Sequence, residues 1–181
     1  MIVLGIDPGS QHTGYGVVEV DGRTERVVEF GVLHLDVSKS HQWRLKHIYE
    51  RVTEVIARCL PDECAVEMPV YGRNPQSMLK LGRAQAAAML AALNRDLPVQ
   101  EYTPTEVKQA ITGKGNASKQ QVSYMICAML NIAPESIERG MDASDALAVA
   151  LCHAHRGKDR QQSHHKDWAS FLKANPGRIR S

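Results

Sequence analysis

No stretch of the 181 residues approaches the ~18 consecutive apolar residues of a membrane span. The opening Met1-Ile-Val-Leu-Gly-Ile-Asp7 lacks the basic region and cleavage site of a secretory leader, so a cytoplasmic protein is expected. The four cysteines, Cys59, Cys64, Cys127 and Cys152, form no Cys-x-x-Cys pair and read as isolated small thiols rather than metal ligands or a disulfide framework. No internal repeat or low-complexity tract appears. The length of 181 residues is short of the paired large lobes of a sugar kinase or chaperone ATPase, which weakens that reading of the glycine-rich turn near the N-terminus.

A large charge of either sign is also missing, since the formal net charge is +2. That total hides an asymmetry. Residues 156–181 carry seven Lys/Arg against Asp159 and Asp167, a balance of +5, and residues 1–155 carry −3. The reading is therefore one domain over 1–155 and a basic tail over 156–181 that is expected to be mobile and is suited to contact with a polyanion.

What is present is an α/β pattern. Ile2-Val-Leu-Gly-Ile6 is a near-continuous apolar run of the kind buried on both faces of a sheet, and it stops at Asp7-Pro8-Gly9-Ser10. Residues 14–20 and 26–35 read as two further strands, with Asp21-Gly22 as their hairpin signal. A helix is expected over about 41–60, where Leu45, Ile48, Val52, Val55 and Ile56 recur at helical spacing. A short strand over 65–68 follows. Asn74-Pro75 opens a helix to about Asn94, and residues 99–102 form a fifth strand. Thr103-Pro-Thr-Glu106 and Ser118-Lys-Gln-Gln121 are capping boxes that start two short helices, and the last helix is expected from about Asp142 to His155. Three meandering strands followed by strand–helix units predict a mixed five-stranded sheet, part antiparallel meander and part parallel, with helices on both faces.

Four carboxylates stand out by position. Asp7 ends the first strand and Glu67 lies near the end of the fourth, so the two are neighbours if those strands pair. Asp142 and Asp145 share one face at the start of the last helix. Taken singly, such residues also serve as turn formers and helix caps. Converging, they would repel strongly without a divalent cation among them, and hard oxygen donors of this kind suit Mg²⁺ or Mn²⁺ and phosphodiester hydrolysis.

The sequence resembles the RuvC family of crossover-junction endodeoxyribonucleases, the Holliday junction resolvases, over about residues 1–155. The likeness rests on Gly5-Ile-Asp-Pro-Gly-Ser10, Val66-Glu67, Asn74-Pro-Gln-Ser-Met-Leu-Lys-Leu-Gly-Arg-Ala84, Lys108-Gln-Ala-Ile-Thr-Gly113 with Lys119, and Asp142-Ala-Ser-Asp145 with the helix to His155. It implies an RNase H-like fold, a two-fold symmetric homodimer and Mg²⁺-dependent paired nicking of four-way junction DNA in recombination and repair, with two ions per site. It also implies the RuvA–RuvB branch-migration machinery as partner. Asp7, Glu67, Asp142 and Asp145 match the family's catalytic, metal-binding acids. Two departures stand out. Val70 occupies the place of the family's junction-stacking aromatic, with Tyr71 next, and Ala86 stands where relatives commonly carry glycine. A junction-binding protein without catalysis is the alternative reading.

Cations that hold the DNA backbone are expected between 73 and 119, where seven Lys/Arg face three acids. Tyr71, Arg73, Asn74, Lys80, Arg83, Lys108, Lys114 and Lys119 are the candidate DNA contacts, and His12 is a weaker one. Lys119 sits at a helix N-terminus, which favours a phosphate. The stretch Ala86–Leu93 is apolar on every face, and close Ala-rich contact fits a homodimer interface. His153 lies too far along its helix from Asp145 to share an ion with it, about 12 Å at 1.5 Å per residue. His155, His164 and His165 read as surface residues.

Overall fold

The computed structural model describes residues 1–69, 74–138 and 141–162. Strands β1 (Ile2–Asp7), β2 (His12–Asp21) and β3 (Thr24–His34) lead the chain, followed by helix α1 (His41–Cys59) and strand β4 (Glu63–Glu67). Helix α2 (Pro75–Leu93), strand β5 (Val99–Tyr102), and helices α3 (Pro104–Thr112), α4 (Lys119–Leu130), α5 (Pro134–Glu138) and α6 (Met141–Gln162) complete it. The five strands form one sheet in the order β3-β2-β1-β4-β5. β1 pairs antiparallel with β2 and parallel with β4, so the meander and the parallel half meet at β1.

The sheet separates two apolar layers, because successive side chains on a strand point to opposite faces. Val3, Val18 and Ala65 pack with α3, α4 and α6, whereas Leu4, Ile6, Val17, Cys64 and Val66 pack with α1 and α2. Helix ends follow local chemistry. Asn74 Oδ1 accepts from the backbone N–H groups of Gln76 and Ser77, and the capping boxes at Thr103/Glu106 and Ser118/Gln121 are both formed. All four cysteines are free and buried.

The sequence pattern missed α5, a single turn too short to leave a periodicity, and α6 extends to Gln162, past the expected end at His155. His155 is half-buried rather than a surface residue, with Nε2 2.8 Å from a Glu25 carboxylate oxygen. His153 is buried and clamps three elements together: Nδ1 lies 2.9 Å from the Tyr102 hydroxyl and Nε2 lies 2.5 Å from Glu63. His164 and His165 lie outside the described residues.

α6 lies directly on β1 and β2 because those strands present glycines to it. A Cβ on Gly5 would sit 2.1 Å from the Ala146 carbonyl oxygen, and one on Gly14 would sit 1.9 Å from that of Asp142. Both obstacles are backbone, so neither can swing aside. Gly5→Ala is therefore expected to destabilise the protein by about 1–3 kcal/mol through overpacking, read as a lower urea midpoint with unchanged m-value.

Candidate active site

Three elements place the four acidic residues. Asp7 is the last residue of β1 and pairs with Gly14, the glycine against which the Asp142 backbone rests. β1 and β4 run parallel with Ile6 opposite Val66, which sets Glu67 beside Asp7 one position further on. Asp142 and Asp145 are one turn apart at the start of α6. Asp7, Asp142 and Asp145 each offer a carboxylate oxygen within 4.8 Å of one another. Glu67 falls outside that tight trio but flanks it, close enough to feel the charges of Asp7 and Asp145.

The electrostatics report crowding. Burial, then the charge of Asp145 and, less strongly, that of Asp142, push the Asp7 carboxyl up to about 7, with Lys119 pulling the other way. Burial followed by Asp7 and Asp145 raises Glu67 to about 8 against Lys119 and Lys108. Hard oxygen donors held in mutual repulsion fit a divalent cation, which would replace the protons that otherwise quiet them.

A model of the RuvC family, "Crossover junction endodeoxyribonuclease RuvC", matches residues 3–153. The curated protein of that name from Salinibacter ruber is 54% identical over 179 residues, covering 99% of each chain. The chain belongs to the RuvC family. The protein of the same name from Bacteroides fragilis is 47% identical over 180 residues, covering 99% of this chain and 96% of its own. The structure of T. thermophilus RuvC in complex with Holliday junction substrate superposes with a TM-score of 0.82 at 35% identity, over 88% of this chain and 96% of that one. The fold is accordingly the RNase H-like fold of the RuvC resolvases, as the strand order indicated.

In this RuvC family member Lys119, the first residue of α4, extends Nζ to 2.5 Å from Asp145 Oδ2. Burial works against its charge. The hydrogen bond and charge of Asp145, with Asp7 and Glu67 behind it, outweigh that and hold the ammonium above its ordinary range. Lys108 on α3 acts on Glu67 from the same face. Lys114 stands apart, lining an apolar groove with Thr112, Gln120 and Tyr124. Asn74 is occupied as the α2 cap, while Lys80 and Arg83 are exposed on that helix. His12 is exposed on β2, edge-on to His34. Val70, Tyr71 and Arg73 lie outside the described residues. No sequence pattern singles out His41 and Arg44 at the start of α1. Their only signal was position, on the helix entered from the strand end nearest Asp7.

Asp7 and Glu67 hold protons in the folded chain at pH values where the unfolded chain has released them, so folding stability falls as pH rises from about 4 to about 8. The metal-free protein should melt at a lower temperature at pH 8.5 than at pH 5. Asp7→Asn should flatten that dependence, and a divalent cation should reverse the loss at high pH. Thermal melts in chelator and in Mg²⁺ measure all three.

Proposed function

We propose that the chain resolves four-way DNA junctions by Mg²⁺-dependent hydrolysis of paired phosphodiesters, in the cytoplasm where the DNA lies. The observation that carries the proposal is the convergence of Asp7, Asp142 and Asp145 beside Glu67 in a chain of the RuvC family. These four carboxylates would hold Mg²⁺, or Mn²⁺ in its place, with two ions as the family chemistry implies. Such ions supply Lewis acidity toward a phosphoryl oxygen. The protein's own contribution is placement. Asp7 and Glu67 are fixed by adjacent strands, and Asp142 and Asp145 by a helix seated on glycine. Lys119 and Lys108 stand ready to offset phosphate charge, and Lys119 has an anion to exchange for it, the Asp145 carboxylate. In this reading Tyr71, Arg73, Asn74, Lys80, Arg83 and Lys114 also contact DNA, the basic tail beyond the nuclease domain adds nonspecific attraction, and RuvA–RuvB is the partner machinery.

Two cuts require two sites, and a second copy of the chain is the proposed source. α2 buries Ala84, Ala88, Ala91 and Ala92 within the chain. Its opposite face carries Leu79 at 59%, Leu90 at 52% and Leu93 at 48% exposed, in line with the small residues Gly82 and Ala86. A leucine stripe interrupted by small residues on a 19-residue helix supports an isologous contact between two copies.

On a synthetic four-way junction in Mg²⁺, symmetric nicks absent from a linear duplex are expected. Asp7→Asn should keep junction binding and lose cutting by more than the ~10–100-fold typical of residues one shell further out. Binding with no cutting by the unsubstituted protein would leave only the binding-protein reading. Leu90→Glu should shift sedimentation from dimer to monomer and uncouple the paired nicks.

A further inference from the structure

The first turn of α1 holds a group of polar atoms that the carboxylate site does not use. Both ring nitrogens of His41 and Nε of Arg44 are buried without a hydrogen-bond partner among the described residues. Buried donors are ordinarily paired, and those left open mark a place that something else fills. Among the described residues the charged groups acting on His41 are Arg44 on its own helix and Arg83 and Lys80 on α2, with no carboxylate among them. Burial first and then these three cations hold the imidazole below its usual range, which favours the neutral ring with one N–H to donate. Two guanidinium groups, an ammonium, and imidazole and guanidinium N–H groups without a partner among the described residues are the donor set of a phosphate site.

Its position gives the site a purpose. Arg44 Nη1 donates to the Ser10 carbonyl at 2.6 Å, in the turn that leaves Asp7. α1 and α2 cover one face of the sheet, whereas Lys119 and Lys108 reach the carboxylates from helices on the other. A strand laid across the carboxylate edge therefore meets cations on both sides of it. We propose that His41, Arg44, Lys80 and Arg83 form a second phosphate cradle that grips a backbone phosphate flanking the scissile one, on the sheet face opposite Lys119.

The inference rests on DNA being the substrate, and its test is read from binding, apart from cutting. In the Asp7→Asn background, the full chain is titrated with a four-way junction and with a linear duplex over a range of salt. Loss of one phosphate contact lowers the slope of log affinity against log salt by about 0.9. Arg44→Gln should show that drop on both DNAs, and Arg44→Lys should largely restore the slope. His41, identified by the signal lost in His41→Gln, should shift in ¹⁵N spectra of ring-labelled histidine when either DNA is added to protein with its cradle intact, which needs no substituted site to fold. An unchanged slope in folded Arg44→Gln overturns the cradle. So do His41 ring signals that stay fixed under saturating DNA, or that move with inorganic phosphate and not with DNA. Failure of the functional reading looks different: the unsubstituted protein would leave junctions uncut in Mg²⁺ while the duplex still moved the His41 signals.

Discussion

The direct seating of α6 on β1 and β2 is the constraint on which the site depends. Gly5 and Gly14 remove the side chains that would otherwise hold a helix farther from a sheet, so helix backbone meets strand backbone at the Ala146 and Asp142 carbonyls. This contact brings Asp142 and Asp145, far along the chain, to the end of the first strand. It also buries Asp7, and burial is the largest cause of that residue's raised pKa. Packing and electrostatics thus share a cause: the shape that gathers the acids also withdraws them from water.

Such a cluster opposes folding when charged, and the molecule counters it in stages. Lys119, carried on a capped helix start, pairs with Asp145. Burial and mutual repulsion push the Asp7 and Glu67 carboxyls up to about 7 and about 8, so protons relieve part of the charge. Farther along α6, His153 ties the helix to Glu63 at the start of β4 and to Tyr102 at the end of β5. Because β4 also carries Glu67, this buried clamp fixes the helix and the strand that share the site relative to each other.

Much of the fold was legible beforehand, for identifiable reasons. The apolar run before Asp7, the Asp21-Gly22 turn and the two capping boxes are local signals, and each corresponds to an element or cap in the structure. Pairing of β1 with β4, the condition on which Asp7 and Glu67 become neighbours, places Glu67 next to Asp7. Besides the end of α6, at Gln162 rather than His155, two features escaped the local pattern. α5 is too short for a hydrophobic period to register. The environments of His41, Arg44 and His155 depend on residues from α2, the Asp7 turn and Glu25, whose approach no spacing along the chain encodes.

By itself the sequence determined which residue types sit at strand ends and helix starts, and hence the four acids, the basic stretch and the family to which the motifs belong, because these follow from local pattern. Tertiary structure alone decided distance and surroundings. It drew Asp7, Asp142 and Asp145 within 4.8 Å of one another, left Glu67 at the flank, turned Lys119 onto Asp145 and set His41 within the influence of Arg44, Arg83 and Lys80. The physical reason is that Coulomb interaction and desolvation depend on separation in space and exposure to water, and both are set only when α6 comes down on the glycines of the sheet.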